Sequence, residues 1–119
     1  METGEQLFCK IKLLNSMADQ IIAYGEQCGA AGLRDYVDMN CGGIPDGEYT
    51  QIVDQSAPEQ FLSMYRKVAE KRFTLTVKTL IKANAAFRKP IAEYCERDGS
   101  GCSDWWKACL NDAEKGDTQ

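Results

Sequence analysis

Residues 56–91, SAPEQFLSMYRKVAEKRFTLTVKTLIKANAAFRKPI, carry the pattern that decides the fold. Ser56 is a helix-capping residue, Pro58 suits a first helical turn, and Glu59 stands three residues after Ser56 in the capping-box arrangement. Phe61, Tyr65, Val68, Ala69, Phe73, Val77, Leu80, Asn84, Phe87 and Ile91 then recur on one helical face over about eight turns. Unbroken to residue 97, such a helix would be about 60 Å long, whereas a compact chain of this length has a radius of gyration near about 14 Å. A break is required, and Pro90 is the expected place, because its ring clashes with the carbonyl of Ala86. Thr74, Thr76 and Thr79 lower the helix propensity, and the alternation of Phe73, Leu75 and Val77 leaves a strand as the lesser reading.

Upstream, Leu7, Ile11, Leu14, Ala18, Ile21 and Ile22 repeat at three-and-four spacing between Gln6 and Cys28. Phe8, Leu13, Met17 and Tyr24 widen the stripe past half the circumference, so this helix is expected at the centre of the core. Gly29 supplies a left-handed cap and Gly32 a second break. A short helix from Leu33 to about Met39 follows, with Leu33, Tyr36 and Val37 inward. Between residues 40 and 56 the two glycines and Pro45-Asp46-Gly47 predict an irregular connection. Downstream, ERDGSG is a loop, Ser103 caps a last helix bearing Trp105, Trp106, Cys109 and Leu110, and residues 110–119 are a polar tail expected to fray.

The 119 residues suffice for one domain, 1–119, and the 44% apolar and 27% charged fractions are those of a folded globular chain. No apolar run is long enough to span a bilayer. Residues 1–60 hold ten acids against three bases, and residues 61–119 eight acids against eleven bases. The expectation is that the two halves attract and pack together.

Six cysteines in so short a chain point to an oxidising compartment. METGEQLFCK lacks the basic and apolar regions of a secretory signal, so Met1 is read as an added residue before a mature secreted chain. The competing reading makes the cysteines small buried hydrophobes in a reducing compartment. Helical spacing excludes Cys9–Cys28 and Cys102–Cys109 as bridges, while Cys28–Cys41 and Cys95 with Cys102 or Cys109 stay feasible. The fold expected is therefore all-α: a compact, disulfide-braced bundle of about four to five helices.

CERDGSGCSDWWKAC, residues 95–109, could imitate a chemical site. Its Cys-x6-Cys-x6-Cys spacing is wrong for zinc, and the chain has no histidine. A calcium loop read from Glu96 ends on Lys107 where a glutamate belongs. A redox pair wants two cysteines closer together. The stretch is read as a clamp on the last helix, with no metal and no cofactor. Without histidine neither a Ser-His-Asp nor a Cys-His arrangement exists, and no phosphate-binding glycine loop appears, so no catalytic residue is assigned and the protein is expected not to be an enzyme.

Two features suggest binding. Lys67, Lys71, Lys78, Lys82 and Lys89 follow at intervals of four, seven, four and seven, which places them within about 60° on a helix as a candidate anion-binding surface. Trp105 and Trp106 diverge by about 100° on a helix, so one is expected to be partly exposed as a partner-binding residue. The function expected is a secreted, non-enzymatic protein that binds a protein or receptor, as an extracellular effector or toxin-like domain would. The alternative is a carrier of a small apolar ligand or lipid between its helices, motivated by the wide first stripe and by Met17 and Met64. Nucleic acid is not expected, given the pI of 4.8 and the lack of aromatic residues among the lysines.

Overall fold

The computed structural model of the chain describes residues 4–41 and 59–115. These form five α-helices, with no strand among the described residues: α1 (Gly4–Gln27), α2 (Leu33–Cys41), α3 (Glu59–Ala83), α4 (Arg88–Asp98) and α5 (Ser103–Lys115). Single 3-10 turns, Ala85–Phe87 and Ser100–Cys102, precede α4 and α5. The irregular connection expected near 40–56 and the Ser56 cap lie outside the described residues, apart from the end of α2.

The end of α1 shows how sequence sets a boundary. Gly29 has φ +108°, its N–H bonds to the Glu26 carbonyl at 3.2 Å, and the Ala30 N–H bonds to the Gly25 carbonyl at 2.8 Å. This is the paired hydrogen-bond pattern of a left-handed glycine cap, which satisfies two of the helix's last carbonyls.

The long helix breaks at Asn84 and not at Pro90. Asn84 is extended (φ −158°, ψ 114°), its N–H closes α3 on the Leu80 carbonyl at 2.9 Å, and its side-chain oxygen accepts from the Ala86 N–H at 2.9 Å. An asparagine can end one helix and cap the next because its short amide mimics the backbone acceptor. Pro90 then falls in the first turn of α4, where its missing N–H costs nothing. The position of the break follows from size: α3 alone rises about 37 Å, close to the molecule's 40 Å long axis.

α3, and not α1, is the axis of the core, packing against α1, α2 and α5. Its buried Tyr65, Ala69, Phe73, Val77 and Leu80 meet Ile11, Leu14, Ala18, Ile21 and Ile22 of α1, Leu33 and Val37 of α2, and Trp105, Trp106 and Cys109 of α5. Tyr36, expected inward, is 49% exposed. The strand reading of residues 73–77 fails because the threonines fit the helix. Thr76 and Thr79 hydroxyls donate to the Arg72 and Leu75 carbonyls at 2.7 and 2.8 Å, so even the fully buried Thr76 is satisfied.

Arg72, a buried cation on α3, ties three helices together. Its guanidinium donates to Asn15 Oδ1 at 2.8 Å and to Asp19 Oδ1 at 2.6 Å on α1, and lies 3.8 Å from Asp38 on α2. Asp19 also faces Arg34 at 3.5 Å. Acids of the first half thus hold a base of the second, as the uneven charge distribution predicts.

The disulfide bracing expected from six cysteines is not present among the described residues: Cys9, Cys28, Cys95, Cys102 and Cys109 are free thiols. Cys9 and Cys28 are exposed at opposite ends of α1, while Cys95, Cys102 and Cys109 are buried as small apolar side chains. The turn between α4 and α5 is clamped by other means. The Gly99 carbonyl accepts from the Cys102 N–H and from Trp106 Nε1, each at 3.0 Å. A side chain on Gly99 would come within 2.7 Å of the Cys95 carbonyl and 2.8 Å of the Met17 methyl carbon, so only glycine permits this close approach. Ser103 is the first residue of α5 and not its cap, since the 3-10 turn runs straight into it. α5 also extends past Leu110, with Ala113 buried and Glu114 bonded to Arg88 at 2.6 Å.

Candidate binding cleft

Once Asn84 has reversed the chain, α4 returns across α1, and the two helices meet along matching triplets. Gln20, Ile21 and Tyr24 of α1 and Pro90, Ile91 and Tyr94 of α4 line a cleft of about 170 Å³. Each triplet has spacing i, i+1, i+4, the footprint of one helical face over a single turn. Buried Ile21 and Ile91 form its base, and Tyr24, which is 40% exposed, stands at the mouth with half-buried Tyr94.

The aromatic walls are held in place. The ring of Tyr24 meets Phe87 edge-on, with centroids 5.9 Å apart and planes at 83°, a favoured aromatic geometry. The Arg97 guanidinium covers the Tyr94 ring at 5.6 Å. Both hydroxyls hold their protons more tightly than an ordinary tyrosine. For Tyr24 the first cause is a hydrogen bond with Cys28, for Tyr94 burial and then the charge and hydrogen bond of Asp98. The cleft's lining is mostly apolar, made by the two isoleucines, the proline and the two tyrosines. Gln20 is the one lining side chain with an amide. Such a surface offers dispersion contacts and burial of apolar area, and no charge.

The tryptophans expected at a binding surface lie elsewhere and are buried, Trp105 at 7% and Trp106 at 3% exposure. They diverge around α5 as adjacent helical residues must, but each side is covered. Trp106 bonds to Gly99, whereas Trp105 carries the Arg66 guanidinium over its ring at 4.0 Å and the Lys10 ammonium at 5.7 Å. Long basic stems laid over the indole take the place of solvent.

Lys67, Lys71, Lys78 and Lys82 lie along α3, whereas Lys89 belongs to α4, beyond the Asn84 break, and is not in helical register with them. Lys67, Lys71, Lys82 and Lys89 are exposed and Lys78 is half-buried. No group of three or more candidate metal ligands occurs among the described residues, and no described helix is long and apolar enough to cross a membrane.

No protein-family model, curated protein or solved structure matches the chain. In the sequence Ile21, Tyr24 and Ile91 look like ordinary core periodicity and Pro90 like a helix break, so nothing local joins the two halves. The signal available was the repeated i, i+1, i+4 triplet, and using it required the break at Asn84.

Proposed function

We propose that this is a secreted, non-enzymatic binding protein that accepts one apolar side chain of a protein partner in the cleft between α1 and α4. The observation that carries this reading is the cleft's size and lining. About 170 Å³ is close to the cavity of about 150 Å³ that holds a benzene ring, and well short of the about 300–1,000 Å³ of pockets that enclose larger ligands. A single phenylalanine, tyrosine or leucine side chain fits. A lipid does not fit this cleft. Anchoring by one buried apolar residue within a wider, weaker contact is how many protein interfaces concentrate their energy.

Export is proposed from the cysteine content of the chain, six in 119 residues. In an oxidising compartment, Cys95 and Cys102, buried on either side of one turn, are the pair we expect to lose two hydrogens to a disulfide. Intact mass of the native protein with and without reductant tests this.

Calorimetric titration with N-acetylphenylalaninamide, p-cresol and palmitate tests the binding reading. Saturable binding of the two ring compounds with none of palmitate is expected. Tighter binding of palmitate would support the carrier reading, and binding of none of the three would remove the cleft as a site.

A further inference from the structure

We infer that the solvent face of α3 is a docking surface for a sulfated polysaccharide chain, independent of the cleft. Lys67, Lys71, Lys78 and Lys82 fall within about 60° of one another and span about 22 Å along a single helix. Thr74, Ser63 and Ile81 flank the row on one side and Leu75 on the other, with Leu75 and Ile81 packed partly against the core, and the one acid at its edge, Glu70, is paired with Arg66 at 2.6 Å.

Ion pairing separates these lysines from the chain's other bases. All five arginines face carboxylates: Arg34 and Arg72 face Asp19, Arg66 faces Glu70, Arg88 faces Glu114 and Arg97 faces Asp98. None of the four lysines has such a partner among the described residues. Their spacing also creates two like-charge pairs four apart, Lys67/Lys71 and Lys78/Lys82, each of which weakens the helix by about 0.2–0.5 kcal/mol where a glutamate would strengthen it. A face that only needed solvation would be better served by mixed charge. The chain as a whole is acidic, with net charge −4, so the row is a local feature, felt only within about 8 Å at physiological salt. Its ligand must lie along it.

The chemistry of the row selects among polyanions. Lysine presents a point charge with three freely turning donors, which suits sulfate esters met in any orientation along a flexible chain, while the planar forks of the arginines are engaged elsewhere. No aromatic ring on this face could stack a nucleic-acid base, and no Trp or Phe there could enter a membrane interface. An extended chain carrying repeated sulfates meets a row of ammonium groups along one helix without either requirement.

The test uses the full chain and a heparin-derived octasaccharide in low salt. The Lys71→Glu/Lys78→Glu variant is compared with Lys12→Glu/Lys89→Glu, which changes net charge equally but lies off the row. Helicity of each is checked by circular dichroism, and Lys71→Gln/Lys78→Gln serves as a gentler second variant. We expect saturable, salt-sensitive binding that falls about tenfold or more in the row variants and much less in the off-row control. Equal losses in both pairs, absence of binding by the native chain, or tighter binding to phosphatidylserine vesicles or poly-glutamate than to the octasaccharide would overturn the assignment.

Discussion

The indole Nε1 of Trp106 donates to the carbonyl oxygen of Gly99 at 3.0 Å, tying α5 to the turn that leaves α4. Because the same carbonyl also accepts from the Cys102 N–H, removing the indole donor does not orphan it. Trp106→Phe should therefore cost about 1 kcal/mol for the lost bond, with a little more for the smaller ring, and lower Tm by about 4 °C. Thermal denaturation under reducing conditions measures this. An unchanged Tm would show that the turn is held by packing alone.

Arg72 is the buried cation whose removal should matter most. Asp19 is more than a third exposed, so water screens part of the pair, but Asn15 and Asp38 also lose their contact to the guanidinium. A double-mutant cycle with Arg72→Met and Asp19→Asn is expected to give a coupling energy of about 1 kcal/mol, with Arg72→Met alone costing about 2 kcal/mol. Denaturant titration of the four proteins checks it. Strict additivity would mean that Asp19 and Arg72 are neighbours without energetic consequence.

The buried thiols set a limit at alkaline pH. Burial first, then the neighbouring Cys102 and Asp98, pushes Cys95 from 9.0 up to about 12, and burial pushes Cys109 up to about 11. The folded chain therefore holds these protons more tightly than the unfolded one. Their contribution to stability is full below pH 9, falls once the unfolded thiols ionise, and is lost as pH rises through about 11 and about 12. Under reducing conditions Tm should be level from pH 7 to just below 9 and then fall, less steeply in Cys95→Ala. Iodoacetamide at pH 8 should label exposed Cys9 and Cys28 well before the buried three, and equal labelling would contradict the burial assigned here.

The all-α class, the α1 periodicity and the Gly29 cap were legible because they rest on local spacing and backbone chemistry. Asn84 was not, because on a helical wheel it sits on the apolar face, and only the need to reverse a long helix turns it into a cap. Pro90 looked like the breaker because proline reads as one unless a helix start is placed just before it. The tryptophans looked available because adjacency on a helix forces divergence, which says nothing of Arg66 and Lys10 covering one ring. The burial of Arg72 and Thr76 was not legible, because it depends on partners more than fifty residues away for Arg72 and on its own helix carbonyl for Thr76. The disulfide expectation came from counting cysteines, and counting does not report where thiols point. The cleft needs two helices 70 residues apart in sequence to meet, which no local pattern encodes.

The most direct test of the binding cleft is a residue-resolved NMR titration with N-acetylphenylalaninamide on the native chain and on Gln20→Trp and Gln20→Ala. Gln20 is exposed and lines the cleft, so either change leaves the core intact while only tryptophan is large enough to occupy the space. Saturable shifts confined to residues 20–24 and 91–94, retained in Gln20→Ala and abolished in Gln20→Trp, are the predicted result. Shifts centred elsewhere, or undiminished in Gln20→Trp, would contradict the account.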